Sequence, residues 1–147
     1  MKEIGDLERM NKLNGELEAL YHNFFVAREL SDSGSKILYY TYLYGGRCSL
    51  ADLIELTSIS KQTLSTSLHK MEKEDFIRLE NIDGTKRMIV LTERGLSVSE
   101  KTVKQLIDME KFVLNCFTTE EKSAFFSFYK RYIEILKRRM SGDTIDE

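Results

Sequence analysis

Apolar residues recur at helical spacing along most of this chain and alternate at strand spacing in one short stretch. Residues 3–30 place Leu13, Leu17, Leu20, Tyr21 and Phe24 at i, i+4, i+7, i+8 and i+11, while Asn11, Lys12, Glu16 and Glu18 fill other positions. That is a long amphipathic helix, and so much apolar surface near a terminus needs cover; a partner subunit is the natural source. Ser31-Asp32-Ser33-Gly34-Ser35 reads as a turn cluster. A second helix, 34–45, carries Ile37, Leu38, Tyr39, Tyr40, Tyr42, Leu43 and Tyr44. It is apolar nearly all round, so it is expected at the centre of the core, and Gly45-Gly46 ends it.

From Leu50 to Ile77 the pattern predicts two short helices joined by a tight turn. Leu50, Leu53 and Leu56 form one stripe, and Leu64, Leu68 and Met71 form the other. Thr57-Ser58-Ile59-Ser60 lies between them, with Ser60 placed to cap the second helix through its hydroxyl. With Leu64 inward and about 100° per residue, Gln62, Thr66, His69 and Lys73 face outward, flanked by Ser65 and Lys70. This face offers hydroxyls, an amide, an imidazole and ammonium groups, and no carboxylate. Such a surface suits a DNA major groove; its plainer reading is a solvated helix face.

Period-2 alternation then marks two strands, 77–82 and 86–91, around Asp83-Gly84, a strong hairpin signal because both turn positions need positive φ. Thr85-Lys86-Arg87 puts cations beside the tip. A helix–turn–helix followed by a basic hairpin is a winged helix, whose second helix enters the major groove while the wing reaches the backbone or the minor groove. A fifth helix is expected over 92–115, capped by Thr92, with Val103, Leu106, Ile107 and Val113 in its stripe and Gly95 allowing a close neighbour. Thr118-Thr119-Glu120-Glu121 reads as a capping box opening a last helix, about 119–140, with Phe125, Phe128, Tyr129, Tyr132, Ile135 and Leu136 on a broad aromatic face.

The stretch from Leu50 to Gly95 resembles the MarR (multiple antibiotic resistance regulator) family of bacterial transcription factors. The resemblance is carried by the helix–turn–helix, by the apolar pair Phe76-Ile77 before the first wing strand, by Asp83 in the wing, and by Leu91-Thr92-Glu93-Arg94-Gly95 opening the next helix. It departs in three places. Thr85 stands where the family has the wing Arg that pairs with the Asp, and Ser58 and Asp75 stand where Gly is common. The first departure bears on how the wing touches DNA; the others are turn-compatible residues.

Composition narrows the reading. Of 147 residues, 41% are hydrophobic and 31% charged, enough for one core and a soluble surface, and the absence of Pro suits long helices. The formal net charge of −2 gives no global sign of nucleic-acid binding, so local charge has to carry it. No apolar run is long enough to span a membrane and no signal peptide heads the chain, so the expected location is the cytoplasm. Cys48 and Cys116 form no CxxC or Cys/His cluster and read as free thiols. A peroxide-sensing Cys, as in some members of the family resembled, is expected near the start of the first helix, where neither lies. The two His, His22 and His69, build no metal or catalytic cluster, so neither cofactor, metal nor enzyme activity is expected.

The fold class expected is mainly α with a small β-hairpin wing: a winged helix–turn–helix at 34–91, flanked by dimerisation helices at 1–30 and 92–147, in a single unit of 147 residues. The expected function is a homodimeric, sequence-specific DNA-binding regulator, a repressor on a near-palindromic operator. Gln62, Ser65, Thr66 and His69 are assigned to base edges, Ser60, Lys61 and Lys70 to phosphates, and Thr85, Lys86 and Arg87 to the wing. The resemblance also implies a small aromatic effector between dimerisation helices and reading head; Tyr21, His22, Phe25, Tyr39 and Tyr40 are its candidate residues. The competing reading is a winged-helix module that binds protein and never DNA.

Overall fold

The computed structural model describes residues 2–142. They form α1 (Lys2–Val26), α2 (Asp32–Leu43), β1 (Arg47–Ser49), α3 (Leu50–Thr57), α4 (Lys61–Lys73), β2 (Ile77–Ile82), β3 (Lys86–Leu91), α5 (Glu93–Lys101), α6 (Val103–Asn115) and α7 (Thr119–Ser141). The chain divides into two compact units, Met1–Ile107 and Asp108–Glu147. The mainly helical fold class with a small antiparallel wing is thus the one expected.

In the first unit, α2 lies at the centre of the core as its pattern predicts. Ile37 and Leu38 are buried together with Leu53 of α3, Leu64, Leu68 and Met71 of α4, and Ile77 and Ile89 of the sheet. The expectation that α2 is buried all round needs correction at its end, where Leu43 and Tyr44 are exposed. The three strands are antiparallel in the order β1-β3-β2. β1 was not expected from the sequence: three residues are too few to show a period of two. It pairs Cys48 with Ile89, which also faces Leu79 of β2, and this row forms the inner face of the sheet. At the hairpin tip, Asp83 (φ 54°) and Gly84 (φ 71°) are both left-handed, and the Thr85 amide closes the turn on the Ile82 carbonyl. This turn's twist matches that of the strands it joins.

Three helices in this unit end in the same way. In α1, α2 and α4 a left-handed residue is followed by an amide that reaches back to the carbonyl five residues earlier: Leu30 to Phe25, Gly46 to Thr41, and Phe76 to Met71. These paired bonds satisfy carbonyls that the helix leaves open. The left-handed residue is Gly45 in α2 but Glu29 in α1 and Asp75 in α4. The first helix therefore stops at Val26 rather than running to residue 30, because Phe25 and Leu30 both turn in toward the core.

The single helix expected over 92–115 is in fact two. Thr102 (φ −128°, ψ −86°) separates α5 from α6. Its hydroxyl donates to the Val98 carbonyl at 2.7 Å and its amide to the Ser99 carbonyl at 3.2 Å, which tightens the last turn of α5. Thr102 and Val103 are both β-branched and both buried, so packing fixes the break without a Gly or Pro to announce it. Gly95 does what its position suggested: a Cβ there would overlap the carbonyl oxygen of Phe76.

In the second unit, α7 opens with the expected capping box. Thr118 accepts from the Glu121 amide at 3.1 Å, and Glu121 accepts from the Thr118 amide at 2.8 Å. No residue of α7 is buried, and Phe125 stacks on Tyr129 and Phe128 on Tyr132 along it. Among the described residues, no helix is long and apolar enough to cross a membrane.

Candidate nucleic-acid interface

α4 is fixed at its start by Ser60, whose hydroxyl accepts from the Thr63 amide and donates to the Thr63 hydroxyl at 2.9 Å. Leu64, Leu68 and Met71 hold one side in the core. The opposite side is open: Lys61, Gln62, Ser65, Thr66, His69, Lys70 and Lys73 are all exposed. The Thr66 hydroxyl donates to the Gln62 carbonyl at 3.0 Å and keeps acceptor capacity outward. The carboxylate nearest in sequence, Glu72, is engaged elsewhere. It accepts from the Leu79 amide at 3.2 Å, which ties the end of α4 to the base of the wing. A cationic and hydrogen-bonding face thus carries no carboxylate of its own.

The wing is held against α4 by short links. The Thr92 hydroxyl donates to the Asp75 carbonyl and also caps α5, and the Arg94 guanidinium lies 4.7 Å above the Phe76 ring. At the tip, Lys86 pairs with Ile82 and Arg87 with Asn81, so the two cations project to opposite faces of the hairpin. Thr85, Lys86 and Arg87 are exposed.

The outer face of the sheet holds basic residues that the sequence reading did not single out. Arg47 of β1 and Arg78 of β2 both bind the Glu80 carboxylate, at 3.1 and 3.3 Å. All three groups are partly exposed, so these ion pairs add little stability. The Glu80 carboxylate thus offsets one of the two guanidinium charges. The only advance signal was the alternation of Arg78 and Glu80; Arg47 needed β1 to bring it alongside.

The five residues marked for an effector lie on α1 and α2. Phe25 is in the core, with Phe24 edge-on at 5.4 Å. Tyr21, Tyr39 and Tyr40 are half-buried at the margin of the core, and Tyr39 meets Tyr40 edge-on at 5.1 Å. His22 is exposed, with Nδ1 3.1 Å from the Asp32 carboxylate. Cys48 is buried in β1, and burial together with the Asp52 carboxylate pushes its thiol up; Cys116 is exposed. Among the described residues, no group of three or more His, Cys, Asp or Glu could hold a metal ion.

The MarR family model matches residues 30–88, the stretch from the start of α2 into β3. Over 77 residues the chain is 27% identical to the HTH-type transcriptional regulator PecS of Dickeya dadantii, which covers 51% of this chain. The match spans about half of that relative, 46% of its length. The fold is similar to AbsC, a MarR family transcriptional regulator from Streptomyces coelicolor (TM-score 0.71, 23% identity, 90% of this chain and 92% of that one). It is also similar to NMB1585, a MarR family regulator from Neisseria meningitidis (TM-score 0.76, 18% identity, 93% and 97%).

Proposed function

We propose that this chain, a MarR-family winged-helix transcription regulator, works as a homodimeric repressor that reads a near-palindromic operator and is released by a small aromatic effector. The observation that carries the reading is the exposed, carboxylate-free face of α4. Gln62, Ser65, Thr66 and His69 meet base edges there, while Ser60, Lys61 and Lys70 meet phosphates. Thr85, Lys86 and Arg87 bring the wing to the backbone. Without an Arg at position 85, the wing's contact is made by cations on the two faces of the hairpin rather than from its tip.

The dimer is supported by apolar surface that this chain leaves uncovered. Leu7, Leu13, Leu17 and Leu20 of α1 are exposed, and so are Phe125, Phe128 and Tyr129 of α7. In this reading residues 34–91 are the DNA-binding region, and 1–30 and 92–147 form the dimer. A two-fold dimer sets two reading helices on half-sites about one helical turn apart. The effector, bound near Tyr21, His22, Phe25, Tyr39 and Tyr40, favours a spacing of the reading heads that does not fit DNA. The protein acts in the cytoplasm and needs no cofactor for this.

The test is selection of bound sequences from a random DNA library at two salt concentrations. Recovery of a near-palindrome, with retention falling steeply as salt rises, is expected. Retention of no sequence at low salt would overturn the reading and favour a module that binds protein.

A further inference from the structure

Two consecutive residues in the first turn of α2 hold two different helices. Asp32 accepts from His22 of α1 at 3.1 Å, and Ser33 accepts from the hydroxyl of Ser67 in α4 at 2.7 Å. The next residue, Gly34, is buried; a Cβ there would lie 2.8 Å from the capping hydroxyl of Ser31 and 3.8 Å from the Met71 sulfur of α4. The turn thus lies in van der Waals contact with α4 at Met71, and its hydroxyl and carboxylate bond two different helices.

We infer that Asp32 and Ser33 are positioning residues that couple α1 to the recognition helix, with His22 and Ser67 as the two ends of the link. This rests on the reading of α4 as the DNA-reading helix. Ser67 is half-buried on the inward side of α4, and His22 lies on α1, so neither is among the residues assigned to DNA. α1 is anchored in the core by Phe25, one turn beyond His22, while Leu13, Leu17 and Leu20 before it are exposed. A shift of that exposed part, whether from a second subunit or a ligand, turns about the anchored end and pulls on Asp32. Because Asp32 and Ser33 share one rigid helical turn, the pull reaches Ser67 and changes how α4 is presented. The carrier is one helical turn with two hydrogen bonds, a short and contiguous route.

The experiment is amide hydrogen exchange of the full chain, compared between residues 61–73 and the wing strands 77–91, in His22→Ala, Ser67→Ala, the double variant and Ser67→Thr with and without His22→Ala. The expected result is faster exchange in 61–73 on His22→Ala and no further change when Ser67 is already Ala. Ser67→Thr, which keeps the hydroxyl, should restore the response to His22→Ala. Operator affinity of Ser67→Ala is expected to fall about three- to tenfold with an unchanged salt slope, since a hydrogen bond is lost but no phosphate contact. An identical His22→Ala effect with and without Ser67, no effect on 61–73, or equal acceleration in 77–91 would each overturn the link. Failure of the unmodified chain to bind DNA would overturn the regulator reading alone, because the exchange result decides the link without DNA.

Discussion

A few side chains set the behaviour of the reading helix. On the proposed reading, Lys61 and Gln62 are neighbours with different roles: an ammonium at the start of α4 is assigned to phosphate, and an amide one residue on to a base edge. Lys61→Ala should weaken binding to all sequences alike and lower the salt slope by about one per half-site, whereas Gln62→Ala should change sequence preference; binding curves at several salt concentrations separate them. Ser58, at the end of α3, is left-handed (φ 52°), and its amide bonds the Ile54 carbonyl. Its side chain adds only strain at that φ. Ser58→Gly should raise stability by about 0.5–1 kcal/mol in urea unfolding, since Gly takes this conformation without a Cβ clash. The thiols should differ in the folded protein: a disulfide reagent should label Cys116 at once and Cys48 only on unfolding. The raised Cys48 pKa keeps its proton on in the folded state, so its contribution to stability is present at neutral pH and is lost as alkali passes the ordinary thiol range.

At the scale of elements, the first unit depends on close approach between α5 and the end of α4. Gly95 makes this possible by facing the Phe76 carbonyl with no side chain. Gly95→Ala should destabilise the first unit by about 3 kcal/mol or fail to fold, because the obstacle is backbone and cannot swing away; thermal unfolding of the variant is the check. The hairpin, α4 and the capping box of α7 were legible in the sequence because each is fixed by local chemistry. Asp83-Gly84 sets the turn and so the register, Ser60 and Asp75 bound α4, and Thr118 with Glu121 opens α7. The break at Thr102 was not legible. Its residues are compatible with a continuous helix, and only the burial of Thr102 and Val103 decides against one.

For the whole molecule, the uncovered leucines of α1 matter most. Leu13 and Leu17 are 59% and 54% exposed, on a helix whose last turns are anchored in the core. Replacing both with Glu leaves the anchored end untouched but puts charge in the proposed dimer contact, where unpaired charge is costly to bury. Sedimentation should then report a monomer, with near-normal far-UV circular dichroism and loss of operator binding. A dimer that survives both charges would show that α1 is not part of the contact. The net charge of −2 is no obstacle to DNA binding, since cations on the exposed face of α4 and on the wing act locally.

The sequence specifies the winged helix through short-range signals: a period of 3.6 in α3 and α4, a period of 2 in β2 and β3, and turn residues that tolerate positive φ. It also determined the polar face of α4, since the positions opposite a buried stripe follow from helix geometry. Packing within the folded chain settled what crosses between distant segments. It added β1, which gains its strand geometry by pairing with β3, and so brought Arg47 to Glu80 from 33 residues away. It also set Ser67 against Ser33 and His22 against Asp32. Exposed or half-buried polar residues such as these carry no periodicity, and their partners are chosen by how the helices pack.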